Sequence, residues 1–358
     1  MSTSPEQDRE THRRATIADV ARTAGVSPST ASVVFSGKAP VADATRDRVL
    51  AAAAELGYAG PDPRAASLRR GRSGIVAVVL EEHLRTAFRD PVKIAMMDGL
   101  TDALAALGAG VLLLRDESEA TDDAPTIATA PVDAVVLIGC SGRMRTALDV
   151  VRARALPVVV IEGDAGDDVP RIELDNREAA AQIARHLRGL GHERVGIVTL
   201  PLSADRTRGD VTAERLATLT VEVTGERLAG TREVFPDARV VSAAGSFIDE
   251  GVIAGRTLLA DPATRPTAVV AQSDLLAAGV IRAAEELGLR VPEDLSVAGF
   301  DGIRVDGLAG HVLTTAVQPA EEKGRAAGEA VARMLTGERG ASIRFTCVFR
   351  EGTTTASV

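Results

Sequence analysis

Four guanidinium groups, those of Arg64, Arg69, Arg70 and Arg72, fall within nine positions. Such a run either sits in solvent as part of a linker, or neutralises phosphates and releases their counterions. Its neighbours must decide between the two. Catalytic constellations fail on type and spacing. Gly108-Ala-Gly110 precedes its expected strand and position 113 is Leu113, so it is not a dinucleotide-binding glycine pattern. Gly139-Cys-Ser-Gly142 is followed by Arg143, where a nucleophile elbow needs glycine. His12, His83, His186, His192 and His311 lack metal-ligand spacing, so each reads as a surface or capping residue. Neither enzymatic activity nor a metal or cofactor is expected.

The chain has 358 residues, 45% of them hydrophobic and 25% charged, which excludes a disordered, collagen-like or coiled-coil protein and suits two or three domains. Two cysteines, Cys140 and Cys347, exclude a disulfide framework and suit a reducing compartment. Apolar runs such as Gly74 to Leu80 and Leu156 to Ile161 fall far short of the ~20 residues of a membrane helix. Met1 to Arg14 has no apolar stretch of the kind a secretory leader carries. A cytoplasmic protein with no membrane partner is expected. The net charge of -9 is unevenly spread: residues 1–73 hold 11 basic against 8 acidic side chains, and the remainder 30 against 42. The N-terminal part is weakly basic, and everything after it is acidic.

That N-terminal part is punctuated as helices. Thr16-Ile-Ala-Asp19 offers a capping hydroxyl and a first-turn carboxylate, and Ile17, Val20, Ala21 and Ala24 follow at helical spacing. Gly25 supplies a left-handed stop, and Val26 plugs the corner. Ser27 is a second N-cap with Pro28 at the first helical position, and this helix runs to about Ser36 before Gly37. A third helix extends from Asp43 to Leu56-Gly57, with Val49, Leu50, Ala53 and Leu56 on one face. Two short helices joined by a glycine turn, supported by a third, make a helix-turn-helix or another small helical bundle.

The string Ala-Gly-Val-Ser-Pro-Ser-Thr-Ala-Ser at 24–32, with Gly37, Thr45-Arg46, Arg48-Val49 and Glu55-Leu-Gly-Tyr58, resembles the headpiece of the lactose/galactose repressor family of bacterial transcriptional regulators. The resemblance implies that the second helix enters the major groove, with Pro28, Ser29, Ser32 and Val33 facing base edges and Thr16 and Thr30 suited to phosphates. Val33 stands where the family usually has arginine, the side chain that reads guanine bidentately. Two readings remain: an altered operator preference through a thymine methyl, or a Val33 that packs in the headpiece core. Gly60 to Ser73 then corresponds to the family's hinge, in which Ala65 to Arg70 would form the hinge helix, about one and a half turns and too short to be stable alone. Leu68 would wedge into the minor groove, or pack as an ordinary linker leucine, and Arg69, Arg70 and Arg72 would lie along the phosphates.

From Gly74 onward apolar strands alternate with amphipathic helices. Strands are predicted at 75–80, 111–114, 134–138, 158–161, 195–199, 239–241, 268–271 and 295–298, and helices at 92–107, 176–187, 250–259 and 275–287. Continuous Val/Ile/Leu runs separated by helices predict parallel sheets covered on both faces, and eight strands divide best into two doubly wound lobes with a ligand between them. Asp175-Asn-Arg-Glu-Ala-Ala180, Leu187-Arg-Gly-Leu-Gly-His192, Arg227-Leu-Ala-Gly230, Val291-Pro-Glu-Asp-Leu-Ser296, Gly299-Phe-Asp301 and Leu313-Thr-Thr-Ala-Val-Gln-Pro319 resemble the same family's periplasmic-binding-protein-like effector domain. By that resemblance Arg227 and Asp301 face the cleft from opposite lobes, with Glu162, Ser273, Asp274, Gln318 and the aromatic Phe247 nearby. The charged pair then either orients a polar ligand or staples the lobes as a salt bridge.

Three features depart from the family pattern. The body has no Trp or Tyr to stack a sugar, the loop Glu81 to Pro91 is long and charged, and Arg206 to Glu226 reads as an insertion. Leu216, Leu219 and Val223 give that insertion a helical pattern, either over the cleft or at an interface. Asp116 to Ala130 is short and acidic for a full helix. The expected organisation is an all-α helix-turn-helix headpiece at 14–59, a hinge at 60–73 and a two-lobed α/β effector-binding and dimerisation domain at 74–358. The resemblance implies a homodimeric transcriptional regulator, most directly a repressor. It would bind a near-palindromic double-stranded operator DNA under control of a small-molecule effector, a sugar or other polar metabolite. The alternative, a solute-binding protein of a transporter, is disfavoured by the fused headpiece.

Overall fold

The structure is a computed structural model, described here for residues 15–37, 39–60, 71–81, 84–115, 126–139, 144–163, 165–166, 168–306, 308 and 310–358. The chain divides into two compact units after Ser73. In the first, α1 (Ile17–Ala24), α2 (Pro28–Ser36) and α3 (Asp43–Glu55) enclose a small core of Val20, Ala21, Ala24, Ala31, Val49, Ala52 and Ala53. The ends form where the sequence punctuates them. Thr16 and Asp19 make a reciprocal capping box, Gly25 adopts φ 66°, and the Ser27 Oγ accepts from the Thr30 N–H at 3.1 Å. Val26, Leu56 and Tyr58 pack on the core, and the Phe35 ring meets Tyr58 edge-on at 5.3 Å. Leu50, expected on the inner face of α3 with Val49, Ala53 and Leu56, is instead 46% exposed, and Ala52 takes its place on the buried stripe. Leu68 and Arg69, with Arg64 and Arg70, lie outside the described residues.

The second unit holds two sheets. The first has the order β12-β5-β4-β3-β1-β2. Its strands are β1 (Ile75–Leu80), β2 (Gly110–Arg115), β3 (Ala134–Ile138), β4 (Val158–Ile161), β5 (Arg171–Leu174) and β12 (Ile343–Phe345), paired in parallel throughout. β1 shows why both faces are covered: Val76, Val78 and Leu80 pack with α5 (Pro91–Ala105) and α12 (Ala320–Leu335), whereas Ala77 and Val79 pack with α6 (Met144–Ala153) on the opposite face. α4 (Leu84–Ala87) occupies the charged loop after β1.

The second sheet has the order β13-β11-β10-β9-β6-β8-β7. β6 (Val195–Thr199), β8 (Arg239–Ser242), β9 (Ala268–Ala271), β10 (Ser296–Asp301) and β11 (Thr314–Val317) are parallel. The edges β7 (Gly209–Asp210) and β13 (Val348–Arg350) run antiparallel to their neighbours. One face is covered by α10 (Ile248–Leu259) and α11 (Asp274–Glu286); on the other, α7 (Asn176–Gly189) covers the β9–β11 side and α9 (Glu222–Val234) the β6–β8 side. Five strands escaped the sequence reading. β5 and β11 have four residues each, half of them polar, so neither shows the continuous apolar run that marks strands such as β3 and β9, and β7, β12 and β13 have only two or three residues, too few to show a period.

The chain crosses between the lobes three times, at 174–176, 317–320 and 345–348. The first and third crossings are tied together: the Asp175 N–H donates to the Phe345 carbonyl at 3.0 Å, and the Asp175 Oδ1 accepts from the Cys347 N–H at 2.8 Å. The apparent insertion resolves into a broken pattern. Leu216 on α8 (Ala213–Leu216) covers the sheet edge beside Ile197 and Val240, whereas Val223 already belongs to α9. Of the segment Asp116 to Ala130, the described residues 126–130 form a turn with Ile127 and Ala130 buried.

Candidate nucleic-acid interface and ligand cleft

In the N-terminal unit, α2 is pinned by Ala31, which is fully buried, with Val34 and Phe35 packed beside it. Pro28 and Ser29 are exposed. Thr30, Ser32 and Val33 are half-buried, and Val33 is not among the side chains of the headpiece core cluster. The Ser27 Oγ lies 2.7 Å from the Ser29 Oγ and 2.8 Å from the Thr30 Oγ1, which gathers three hydroxyls at the helix N-terminus. Thr16 is exposed, and its hydroxyl donates to the Asp19 Oδ2 at 2.6 Å. Hydrogen bonding by Thr16 lowers the Asp19 pKa to about 2. The hydroxyl proton of Thr16 is thus committed to the cap, and a phosphate contact there must compete with Asp19.

In the second unit a cavity of about 220 Å³ lies between the lobes. Glu162, Arg227, Phe247, Ser273, Asp301 and Gln318 all line it. Asp274 does not. Its Oδ1 accepts from the Thr315 hydroxyl at 2.6 Å and its Oδ2 from the Ile303 N–H at 2.9 Å, so its carboxylate is spent on holding β10 and β11 to the start of α11. The expected opposition of Arg227 and Asp301 is also corrected. Arg227 projects from α9 and Asp301 from the end of β10, and both belong to the second sheet's lobe. Glu162 at the end of β4, with Asp90 and Lys93 at the start of α5, supplies the opposing wall.

The floor is a closed ring of six polar side chains. The Lys323 Nζ donates to the Glu162 Oε2 at 2.9 Å and to the Gln318 Oε1 at 2.6 Å. The Gln318 Nε2 donates to the Asp301 Oδ1 at 2.7 Å, and the Arg227 Nη1 approaches the same oxygen at 3.5 Å. The Arg227 Nε donates to the Asn176 Oδ1 at 2.8 Å, and the Asn176 Nδ2 returns to the Glu162 Oε1 at 3.4 Å. Two carboxylates meet two cations, as burial demands. The guanidinium of Arg227 also lies 3.6 Å from the Phe300 ring centroid and donates to the Gln272 carbonyl at 2.6 Å.

Electrostatics follow from this wiring. Burial opposes ionisation of Glu162, but the charges of Lys323 and Arg227 prevail and hold its pKa below the usual range. Burial raises the pKa values of Asp301 and Asp274, Asp274 also feeling the Asp301 charge, while Arg227 pulls Asp301 back. Burial likewise raises Asp90, which caps α5 by accepting from the Val92 N–H at 3.0 Å. Glu162 (φ 53°), Asp301 (φ 116°) and Arg206 (φ 53°) all line the cleft in the left-handed region. Holding three such residues there stores about 1–3 kcal/mol each, a pattern associated with binding sites.

Phe247 is the only aromatic residue lining the cavity among the described residues. Its ring faces the guanidinium of Arg89 from the other lobe at 4.9 Å. Ser246 donates to the Ser273 Oγ at 2.8 Å, and Ser273 in turn caps α11. Sequence reasoning missed Asn176, Lys323, Asp90 and Ser246 as site residues. A signal existed for two: Asp90 precedes Pro91 as an N-cap should, and Lys323 falls on the stripe of α12 that otherwise carries Ala326, Ala327 and Ala330. Away from the cleft, His192, expected at the surface or as a cap, is buried against Thr267 and the Ala356 carbonyl.

Residues 16–60 match the model of bacterial regulatory proteins of the lacI family, and residues 184–351 match that of a periplasmic binding protein-like domain. The HTH-type transcriptional regulator Rv3575c of Mycobacterium tuberculosis is 36% identical over 328 residues, covering 88% of this chain and 90% of that protein. A LacI-family transcriptional regulator from Corynebacterium glutamicum superposes with a TM-score of 0.68 at 27% identity, over 98% of this chain and all of the other. The lac repressor dimer bound to operator and the anti-inducer ONPF superposes with a TM-score of 0.75 at 21% identity, over 96% of this chain and all of that one.

Proposed function

The chain belongs to the lacI family of bacterial transcriptional regulators, and from that premise we propose that it acts as a homodimeric repressor of a near-palindromic operator, released or recruited by a small polar effector bound between its lobes. The observation that carries the reading is the pairing of two sites in one chain. Helix α2 keeps Pro28, Ser29, Thr30, Ser32 and Val33 out of the core that anchors it, and the second unit builds a charge-matched polar cleft. Ser29, Ser32 and Val33 face base edges, Thr30 and Thr16 hold phosphates, and Leu68 and Arg69 of the hinge serve the minor groove and backbone. A two-fold dimer requires two half-sites, and the lac repressor, which this chain resembles in fold, is a dimer in its operator complex.

The effector class follows from the cleft. Arg227 faces Asp301, Lys323 faces Glu162, and Lys93 lies 4.0 Å from Asp90, so these cations are already matched and no phosphate cradle is laid out among them. Neutral polyhydroxy metabolites, sugars or nucleosides, fit such alternating donors and acceptors. The ligand acts through unequal affinity for two lobe arrangements.

Mobility shift with the DNA upstream of the protein's own gene, at fixed salt and with a panel of sugars and nucleosides, tests the reading. A specific shift altered by one compound is expected; no specific shift under any condition refutes it. The compound that raises the melting temperature of the wild type should lose at least tenfold in affinity for the D301N variant, which keeps the acceptor for Gln318 but removes the charge.

A further inference from the structure

We infer that Lys323 is a positioning residue that sets the angle between the two lobes, acting through the buried ring rather than by touching a ligand. Its ammonium is completely buried, on a helix that packs against the first sheet. It bridges Glu162, in the same lobe, to Gln318 on the second crossing, and Gln318 hands the connection to Asp301 in the other lobe. The ring returns through Arg227 and Asn176, the residue on which the first crossing ends and α7 begins. The third crossing is fastened to the first by Asp175 and Cys347. All three strands of the hinge are therefore held by one polar assembly, and Lys323 is its member on the first lobe with two short donations.

The six links are unequal. Four are 2.6–2.9 Å, while Asn176 to Glu162 is 3.4 Å and Arg227 to Asp301 is 3.5 Å. Both long links end on residues that line the cleft. Arg227 to Asp301 lies within the second lobe, whereas Asn176 to Glu162 spans the two, so rotation of one lobe against the other stretches the Asn176 to Glu162 link first, and a hydroxyl placed beside Glu162 competes at the same point. Resting on the proposed effector cleft, this makes the ring the place where ligand occupancy is converted into lobe angle. Lys323 keeps Glu162 and Gln318 in position so that the conversion occurs at the Asn176 to Glu162 link.

Hydrogen exchange of the full-length, ligand-free protein, read by mass spectrometry, tests this without DNA or effector, so its failure is separable from failure of the regulator reading. K323M should accelerate exchange at least tenfold in segments 172–177, 316–321 and 344–349, with segments 75–80 and 195–199 unchanged. K323M/E162Q, which removes the stranded carboxylate, should slow the crossings back toward wild type. Should K323M not fold, N176A opens the ring at its other end with the lysine pair intact and should show the same localised acceleration. Unchanged crossings, or equal acceleration of crossings and sheets, would overturn the inference and make Lys323 an ordinary packing residue.

Discussion

At the scale of single residues, the sharpest expectation concerns Val33. It stands off the headpiece core on the same helix as Ser29 and Ser32, and a valine offers a methyl surface but no donor. Selection of operator sequences from random DNA should therefore return no guanine requirement opposite Val33, and the V33R variant should acquire one worth about 1–3 kcal/mol of discrimination. A guanine requirement in the wild type would contradict this placement. The cleft residues teach a complementary lesson. Glu162, Arg227, Phe247, Ser273, Asp301 and Gln318 were legible as cleft-lining residues and Arg227 with Asp301 as a charged pair, but the partner of Glu162 was not, because Lys323 reaches it across 161 positions of sequence. Asp274, expected near the cleft beside Asp301, is kept from it because the Thr315 hydroxyl and the Ile303 amide enclose its carboxylate.

At the scale of elements, the helix ends of the headpiece are local chemistry and were readable as such. Replacing Ser27 by alanine removes the acceptor for the Thr30 amide and should cost about 1 kcal/mol of headpiece stability in thermal denaturation, together with the hydroxyl cluster at the N-terminus of α2. An unchanged transition would show that the cap is redundant. Helix packing in the body was not readable. α5 and α12 approach so closely that a Cβ on Gly324 would collide with the Met96 carbonyl, and one on Gly99 with the Glu321 carbonyl. These glycines sit in mid-helix, where they weaken the isolated helix, and only the backbone of the facing helix explains them. G324V should destabilise the body by about 1–3 kcal/mol in urea unfolding, since overpacking must push the helices apart. Tolerance of valine at the wild-type midpoint would mean that the two helices are not in register as described.

At the scale of the whole molecule, the C-terminal residues strap the far end of the second lobe. The Thr354 carbonyl accepts from the Val297 N–H at 2.7 Å, and His186 and His192 bind the Thr355 hydroxyl at 3.0 Å and the Ala356 carbonyl at 3.1 Å. Burial lowers both histidine pKa values below 6.5, so the folded state favours the neutral rings. The stability they confer is complete above 6.5 and is lost as pH falls through their lowered values. Asp301 and Asp274, with raised pKa values, act in the opposite sense as pH rises, so the difference between wild type and H192Q isolates the histidine contribution. The wild type should lose more stability than H192Q between pH 7.5 and pH 5.5 in denaturant midpoints; parallel curves would remove His192 from the strap. On this scale the net charge of -9 separates into a weakly basic N-terminal portion and an acidic body, which suits a protein whose contact with phosphates is confined to one end. The sequence alone determined the helix caps, the alternation of strands and helices, the two-unit order and the family, because each depends on neighbours within a few positions or on a short unbroken string. Tertiary structure alone decided that Arg227 and Asp301 share a lobe, that Asp274 turns inward and that Lys323 closes the ring, because buried charges take their partners from whatever the fold brings within 4 Å, however far apart in the chain.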